Sequence, residues 1–334
     1  MDTLRAVVIG AGNLGTVHAR NWAQIRGVEV VAVADPIALR AEGLAKELGL
    51  PNFFADYREA LALPDLHLAS VATPTCFHHE CTLAALDAGC HVLCEKPLAL
   101  TLAEGREMRK RAETAGRKLA VGFCKRFMGQ VETVANLVHS GRLGRPVMYR
   151  HVSGWEIRPK PWIMDGHMGG GPLIDIACHY VDQCRVIFGA EPLRVKAAGM
   201  LFSRGAPELP GADPQLDTFT LTVEYQSGDV LALSMSWGLP LGVGSDSLED
   251  CLGPRGLLKI TADTVTLLTR GGTAEVFGNL GTDMYLRQQQ AFADAVRGDL
   301  PVAADARDGL IALQVSLAAI ESIETGEAVA LEAM

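Results

Sequence analysis

The chain lacks the features that mark membrane-spanning and nucleic-acid-binding proteins. Its 334 residues contain no apolar run of the about 18 residues that a membrane helix requires, because stretches such as VLCEKPLALTLAEG are interrupted by charge. The formal net charge of −9 argues against a surface for nucleic acid or anionic lipid. The N-terminus has no basic segment followed by an apolar core, which predicts no signal peptide. We therefore expect a soluble, cytoplasmic protein.

Cysteines are present, but their spacing does not indicate a metal centre. Several of the eight cysteines cluster with histidines between Cys76 and Cys94, yet this segment has no C-x-x-C and no H-x-x-x-H pattern. In a cytoplasmic protein, such cysteines are more often reduced thiols packed in a core than metal ligands or disulfides. We therefore predict no metal site.

A glycine-rich turn near the N-terminus indicates a dinucleotide site. The strand-like run LRAVVI is followed by GAGNLG at residues 10–15 and then by the helical run TVHARNWAQI. Gly10 permits a tight turn, Gly12 lets a pyrophosphate approach the backbone, and Gly15 allows close contact between helix and strand. N–H groups at the start of the helix would bind the phosphates. The alternative for this segment alone is a plain turn with a helix cap.

The end of the second predicted strand favours NAD over NADP. The strand VEVVAVAD ends at Asp35, twenty residues after Gly15. A carboxylate at this position accepts hydrogen bonds from both hydroxyls of the adenosine ribose and repels a 2′-phosphate. We therefore expect NAD as the cofactor.

Strands and helices alternate as far as residue 122, which predicts a doubly wound parallel sheet with ligands beyond the carboxyl ends of its strands. After that point, strand patterns dominate until two C-terminal helices, so we place two α/β domains at residues 1–122 and 123–334. The residues predicted to bind the cofactor are Gly10, Gly12, Asn13, Leu14, Gly15, Asp35, Thr73, Pro74, His78, Glu95, Lys96 and Pro97.

Two segments carry candidate catalytic groups. Lys96 follows a predicted strand at the cofactor edge, where an ammonium group can hydrogen-bond a reacting oxygen. In MGGGPLIDIACHYVDQ, the apolar pattern predicts one helix from Leu173 to Gly189. The polar residues on one side of this helix are Asp175, His179 and Asp182. A neutral imidazole suits proton abstraction from an alcohol near pH 7. The structural alternatives are a surface lysine, a carboxylate favoured by the helix dipole, and a core histidine.

Six segments occur in the order and spacing of one known family: GAGNLG, VADP, VATPTCFHHECTLAALDAGCHVLCEKPLAL, VGFCKRF, GGGPLIDIACHYVD and AFADAVRGDLPVAADARDGLIALQVSLAAIESIETGEAV. On these motifs, the sequence resembles the glucose–fructose oxidoreductase, inositol dehydrogenase and rhizopine-catabolism (Gfo/Idh/MocA) oxidoreductases over nearly its whole length. The resemblance implies an N-terminal Rossmann domain and a C-terminal α/β domain with a large, mostly antiparallel open sheet, which often forms an oligomer interface. It also implies that Lys96, Asp175 and His179 are the catalytic residues.

Together these observations predict an NAD-dependent dehydrogenase that acts on a secondary alcohol or hemiacetal of a cyclic polyol or sugar, as a homodimer or homotetramer. Trp155 and Trp162 are candidate substrate contacts, because aromatic rings beside polar groups suit a sugar ring; Arg126 is a third. Two alternatives in the same fold stay open: a glycosidase that retains NAD, and a sensor that binds dinucleotide or sugar without turnover. The sequence leaves open the substrate, the reaction direction, the oligomer size and whether the Lys96–Pro97 bond is cis.

Overall fold

The computed structural model describes residues 3–158, 160–210 and 214–334 of the chain. The chain divides into two compact units. The first comprises the residues up to 124 together with 283–310, and the second comprises residues 125–282 and 311–334. This division differs from the predicted domain bounds, because segment 283–310 returns to the first unit. None of the helices in the described ranges combines the length and the apolarity needed to cross a bilayer.

The elements are numbered in chain order. The described strands are β1 (Leu4–Ile9), β2 (Val28–Ala34), β3 (Asn52–Phe54), β4 (Leu68–Val71), β5 (His91–Cys94), β6 (Leu119–Val121), β7 (Met148–Glu156), β8 (Pro192–Met200), β9 (Thr218–Tyr225), β10 (Val230–Leu239), β11 (Asp246–Gly253), β12 (Gly256–Ile260), β13 (Val265–Thr269), β14 (Ala274–Phe277) and β15 (Val329–Ala330). The described α-helices are α1 (Asn13–Gln24), α2 (Ala38–Leu48), α3 (Tyr57–Leu61), α4 (His78–Asp87), α5 (Leu102–Ala115), α6 (Gly129–His139), α7 (Pro161–Met164), α8 (Gly171–Asp175), α9 (Ala177–Phe188), α10 (Met284–Arg297) and α11 (Ala306–Thr325).

The first unit contains a six-stranded sheet, sheet A, in the order β3-β2-β1-β4-β5-β6. Every neighbouring pair in it is parallel. Its central strands are continuous apolar runs, as expected for a sheet that is covered on both faces, and Val7, Val8 and Val33 are fully buried. The predicted doubly wound sheet is therefore confirmed.

Local sequence signals set the ends of several helices in this unit. Thr101 and Glu104 form a capping box at the start of α5. Gly49 ends α2 in the left-handed conformation, which a residue without a Cβ adopts readily. Helix α10 belongs to the same core, since the ring centroid of Phe292 lies 6.4 Å from that of Trp22 on α1. This packing explains why the return segment joins the first unit.

The second unit contains a nine-stranded sheet, sheet B, in the order β14-β13-β12-β11-β7-β10-β9-β8-β15. Strands β7 and β10 run parallel, and the other neighbouring pairs are antiparallel. Side chains alternate along β7: Tyr149 and His151 are buried, whereas Met148 and Val152 are exposed. The buried face contacts α9 through the Tyr180 hydroxyl. The predicted large, mostly antiparallel sheet is confirmed.

Two elements of the second unit carry weak sequence signals and were not predicted. Helix α6 has helical apolar spacing but begins at Gly129, where an added Cβ would lie 2.7 Å from the Leu280 carbonyl oxygen. Strand β11 opens with the polar stretch DSLED and pairs with β7, which places Asp250 opposite Arg150. Long-range pairing of this kind leaves no local pattern in the sequence.

Candidate active site

The glycine-rich turn after β1 is closely packed against the backbone around it. Gly10 has a φ of 97°, and an added Cβ would lie 2.6 Å from the Ala72 carbonyl oxygen. A Cβ on Gly15 would lie 1.7 Å from the Gly10 carbonyl oxygen. On Gly12, by contrast, a Cβ would meet no described atom within 4 Å, so the space beside this residue is open.

The N-terminus of α1 is exposed to that open space. Asn13 and Leu14 form its first turn, and the preceding Gly12 offers no side chain to cap the free N–H groups. The first turn contains no acidic residue that would compete for an anion. This end of a twelve-residue helix is therefore suited to bind a phosphate group.

Asp35 is held in place by main-chain N–H groups from the glycine-rich turn and from the turn after β2. One carboxylate oxygen accepts the Ala11 N–H at 2.8 Å, and the other accepts the Ile37 N–H at 2.9 Å. An ionised carboxylate has about four acceptor positions, so capacity remains for ribose hydroxyls. Asp35 is only 6% exposed, which fixes the direction of these remaining lone pairs.

Two more of the predicted residues, Thr73 and Pro74, follow β4. The hydroxyl oxygen of Thr73 is buried and has no hydrogen-bond partner among the described residues. His78, at the start of α4, is also buried, and its ring nitrogens lie 3.0 Å from the Thr73 carbonyl oxygen and 2.8 Å from the Pro97 carbonyl oxygen. Burial lowers the pKa of His78, which favours the neutral ring. Its contacts are thus to the main chain of two neighbouring turns.

The turn after β5 carries Glu95, Lys96 and Pro97. The Lys96–Pro97 bond is cis, which the sequence left open. Glu95 is 3% exposed, and one of its oxygens accepts the Lys96 N–H at 3.3 Å. Lys96 is partly exposed. Among the predicted residues of this turn, the lysine is the one that can meet a ligand with its side chain.

In the second unit, the predicted helix from Leu173 to Gly189 is broken, and that prediction is wrong in detail. Helix α8 ends at Asp175, and α9 begins at Ala177 after Ile176, whose φ and ψ are −109° and −33°. Asp175 and His179 therefore do not lie on successive turns of one continuous helix. Both are 7% exposed.

The glycine triplet before α8 is required by packing. Gly170 and Gly171 have φ values of 80° and 78°. A Cβ on Gly169 would lie 2.6 Å from the Trp162 carbonyl oxygen, and one on Gly171 would lie 2.8 Å from the Cβ of Gln215. The close approach of neighbouring chain segments therefore fixes the start of α8, which carries Asp175.

Asp182 and Arg126 form a buried ion pair. The Asp182 carboxylate is 1% exposed and accepts from both Nε (2.7 Å) and Nη2 of Arg126. Arg185 approaches the same carboxylate at 3.7 Å. Asp182 is thus the buried carboxylate partner of two arginines. The Arg126 guanidinium group thus already binds a carboxylate of the protein. Its contact with substrate stays a prediction.

The candidate sugar-binding tryptophans lie in different settings. The Trp155 ring stacks on Trp237, with centroids 5.6 Å apart and planes 17° apart. The guanidinium of Arg158 lies 4.8 Å from the Trp155 centroid and 4.6 Å from the Trp237 centroid. Trp162 lies on α7 and is partly buried. Sequence reasoning missed Trp237, whose contact with Trp155 depends on the pairing of β10 with β7.

A second polar cluster beneath α9 was also missed. The Tyr180 hydroxyl lies 2.9 Å from Nε2 of His151, and Nδ1 of His151 lies 3.7 Å from Glu249. Tyr149 donates a hydrogen bond to the same Glu249 carboxylate. The Lys125 ammonium lies 3.5 Å from the centroid of the Tyr180 ring. These residues come from distant parts of the chain, so no sequence motif connects them.

Residues 3–158, 160–210 and 214–334 contain no cluster of three or more His, Cys, Asp or Glu side chains that could hold a metal ion. No disulfide links any of the eight cysteines, all of which lie in the described part of the chain.

Comparisons with known proteins place this geometry in a family. Residues 4–123 match the model of the oxidoreductase family with an NAD-binding Rossmann fold, and residues 131–249 match the GFO/IDH/MocA C-terminal domain. The chain is 31% identical to D-glucoside 3-dehydrogenase from Escherichia coli strain K12, over 98% of this chain and 97% of that protein. The chain belongs to the Gfo/Idh/MocA family.

Two further similarities support this membership. The chain is 30% identical to scyllo-inositol 2-dehydrogenase (NAD(+)) from Bacillus subtilis strain 168, over 98% of this chain and 96% of that protein. The crystal structure of a probable dehydrogenase from Thermotoga maritima is similar with a TM-score of 0.81 and 28% identity, covering 98% of each chain. The predicted family, fold and NAD-dependent oxidoreductase activity are therefore confirmed.

The residues of the first unit fit NAD. The open space beside Gly12 and the uncapped start of α1 suit the pyrophosphate. Asp35 has carboxylate lone pairs left for the ribose, and the buried Thr73 hydroxyl lacks a partner among the described residues. An orphaned polar atom at the carboxyl end of a sheet strand is a typical contact for a bound ligand.

Proposed function

We propose that this Gfo/Idh/MocA oxidoreductase oxidises a secondary alcohol or hemiacetal of a cyclic polyol or sugar. The observation that supports this substrate class most strongly is the nearly full-length similarity to dehydrogenases that are named for a glucoside and an inositol. Both substrate types are rings that carry several hydroxyl groups. Bound NAD supplies the hydride acceptor for such an oxidation.

The first unit holds the cofactor in this proposal. Gly10, Gly12 and Gly15 admit the pyrophosphate, Asn13 and Leu14 provide main-chain N–H groups, and Asp35 selects the unphosphorylated ribose. The remaining predicted contacts shape the edge of the nicotinamide site: Thr73, Pro74, His78, Glu95, Lys96 and Pro97.

Three side chains carry the proton and charge chemistry. His179 accepts the hydroxyl proton, because a neutral imidazole is a competent base near pH 7. Lys96 donates a hydrogen bond to the same alcohol oxygen and stabilises its developing negative charge. Asp175 binds a neighbouring hydroxyl and orients the substrate. Trp155, Trp162 and Arg126 are the proposed contacts with the rest of the sugar ring.

Single substitutions test these roles. Lys96→Ala should lower kcat by about 10²-fold or more, and His179→Ala by about 10³-fold, with NADH affinity retained. The matched controls are Lys46→Ala and His139→Ala, which remove an exposed lysine and an exposed histidine. Near-normal turnover in both test variants would refute the catalytic assignment.

A substrate panel separates the dehydrogenase from its alternatives. The purified chain is mixed with NAD and with myo-inositol, scyllo-inositol, glucose and a methyl glucoside, and NADH absorbance and free glucose are followed. Net NADH formation supports the dehydrogenase. Release of glucose from the glucoside without net NADH would indicate the NAD-retaining glycosidase. Binding without either product would indicate a sensor.

The exposed face of sheet B supports a homodimer or homotetramer. Val152 on β7 and Leu248 on β11 are opposite each other and are 50% and 53% exposed, and Met148 on the same face is 40% exposed. A Val152→Asp, Leu248→Asp double variant should reduce the particle mass to that of one chain in light scattering. Leu39→Asp on α2 is the control, since Leu39 is 79% exposed in the other unit. The lack of disulfide bonds among the eight described cysteines fits the proposed cytoplasmic location.

A further inference from the structure

A chain of buried polar groups lies behind the turn that carries Lys96. His18 on α1 is completely buried, and its Nε2 lies 3.0 Å from Oε1 of Glu95. Its Nδ1 lies 3.1 Å from the hydroxyl oxygen of Ser70 on β4. The indole Nε1 of Trp22 donates to that hydroxyl oxygen at 2.8 Å. Buried groups thus connect helix α1 with the residue that precedes Lys96.

The direction of these hydrogen bonds follows from the chemistry of their members. An indole nitrogen can only donate, so the Ser70 oxygen is the acceptor from Trp22. Ser70 is fully buried, and its described partners are Trp22 and His18. Its hydroxyl proton is therefore paired only if Nδ1 of His18 accepts it. This pairing assigns Nδ1 of His18 as the acceptor from Ser70 and Nε2 as the donor to Glu95.

The Glu95 carboxylate is enclosed on its remaining sides. Its second oxygen accepts the main-chain N–H of Lys96 at 3.3 Å. A Cβ on Gly122 would lie 2.7 Å from Oε1, so glycine is required for the carboxylate to fit. With 3% exposure, Glu95 directs both oxygens to the protein interior. Its contacts serve the backbone of Lys96 and leave it little surface for a ligand.

A second buried imidazole supports the same turn from another helix. His78 on α4 contacts the carbonyl oxygen of Pro97, one residue after Lys96, and that of Thr73 after β4. Carbonyl oxygens only accept, so the one N–H of the neutral ring donates to one of them, and we assign it to the shorter contact, from Nδ1 to Pro97 at 2.8 Å. His18 and His78 thus hold the residues on either side of Lys96.

We propose that His18 and His78 are positioning residues that fix the backbone of Lys96 for catalysis, His18 through Glu95 and His78 through Pro97. The inference rests on the proposed function, in which the Lys96 ammonium binds the reacting oxygen. A lysine side chain is long and flexible, so a turn that moves by about 1 Å misplaces its ammonium and can lower the rate by about 10²-fold. Sequence reasoning assigned His78 and Glu95 to the cofactor, and it gave His18 no role.

Paired substitutions at His18 test the proposal. His18→Leu keeps the volume but removes the donor, and His18→Gln keeps an amide N–H near the position of Nε2. We expect His18→Leu to lower kcat by about 10²-fold while the Kd for NADH, measured by fluorescence titration, changes by less than about threefold. His18→Gln should recover at least about tenfold of that loss. His78→Gln should lower kcat, whereas His79→Gln, a neighbouring partly exposed histidine on α4, should not.

Two spectroscopic measurements report on the turn without turnover. Ring ¹⁵N shifts, assigned by comparison with His18→Gln, should show His18 protonated at Nε2 alone. After reductive ¹³C-methylation, the Lys96 signal, assigned by its absence in Lys96→Arg, should shift or broaden in His18→Leu and His78→Gln but not in His79→Gln. The NMR signal of Lys96 does not depend on catalysis, so it tests the positioning role separately from the proposed function. Full activity of Lys96→Ala would refute the catalytic role of Lys96, whereas the positioning of its backbone by His18 and His78 would still be judged from the NMR signal.

The opposite results would overturn the inference. In His18→Leu, an unchanged Lys96 signal together with a kcat within about twofold of the wild type would refute the positioning role of His18. Equal losses of kcat and NADH affinity in His18→Leu, without rescue in His18→Gln, would indicate a general folding defect instead. If His18→Leu does not fold, His18→Asn carries the test, because its shorter side chain keeps a polar group for Ser70 but has no donor that reaches Glu95. An unchanged Lys96 signal together with kcat within about twofold of the wild type in His18→Asn would then refute the proposal.

Discussion

In the first unit the candidate residues lie on backbone that close contacts and buried hydrogen bonds hold in place, whereas in the second unit they adjoin a helix that ion pairs hold. Gly10 and Gly15 leave no room for a Cβ beside the predicted cofactor site. In the second unit, Arg126 and Arg185 both approach the buried carboxylate of Asp182 on α9, the helix that carries His179. The first unit should therefore be sensitive to added atoms, and the second to removed charges.

The largest expected effect is the loss of the buried carboxylate in the second unit. Asp182→Ala should lower the free energy of unfolding by about 4 kcal/mol, because it leaves the Arg126 guanidinium, 13% exposed, without its carboxylate. Urea unfolding followed by far-UV circular dichroism measures this loss. The control is Glu224→Ala, which breaks the exposed Arg194–Glu224 pair of the same unit and should cost less than about 1 kcal/mol. Equal losses in the two variants would remove the distinction between the units.

An added methyl group should have a comparable but smaller effect in the first unit. Gly15→Ala places a Cβ 1.7 Å from the Gly10 carbonyl oxygen, so helix α1 must shift, at a cost of about 3 kcal/mol in unfolding free energy. Gly12→Ala meets no described atom within 4 Å and should keep nearly the wild-type stability. It should nevertheless weaken NADH binding, since the methyl group enters the space assigned to the pyrophosphate. Denaturant unfolding and fluorescence titration of both variants separate the two effects, and normal NADH affinity in Gly12→Ala would contradict that assignment.

The same contrast explains what could be read from the sequence. The cofactor site of the first unit is built from short local signals: a strand, the glycine turn, and Asp35 at the end of the next strand. The break at Ile176 was not visible, because the apolar pattern of Ile174, Ala177 and Val181 continues through it. Local periodicity reports which face of a helix is buried, and it does not report a short interruption of the helix.

The buried clusters lay beyond the reach of sequence patterns for a different reason. His18 and Glu95 are 77 residues apart, and Tyr149 and Glu249 are 100 residues apart. Such pairs are brought together by sheet order, which depends on the whole fold. The motifs therefore indicated residues that lie within them or next to them. They gave no role to residues such as His18, which contact motif residues from distant parts of the chain.

The smallest expected effect is a pH dependence that separates the two units. In the first unit, burial and the nearby charges of Arg117 and Lys118 lower the pKa of His91 from 6.5 to about 4, and its Nδ1 accepts the Lys118 N–H at 2.9 Å. In the second unit, burial acts to raise the pKa of Glu249, but the nearby His151 imidazole, the Lys125 charge and the hydrogen bond from Tyr149 outweigh it and lower that pKa from 4.5 to about 2. Both groups therefore bind protons more weakly in the folded state.

These shifts predict separate pH windows. The contribution of His91 is fully present above its unfolded pKa of 6.5 and is lost as the pH falls through its folded pKa of about 4. The contribution of Glu249 is present above 4.5 and is lost only as the pH falls towards 2. Urea unfolding between pH 7 and pH 5 should therefore show a small decline in stability that His91→Asn reduces, because an amide oxygen can accept the Lys118 N–H without being protonated. If the decline is the same in His91→Asn, or if Glu249→Gln removes it, the buried imidazole of His91 does not govern the loss of stability between pH 7 and pH 5.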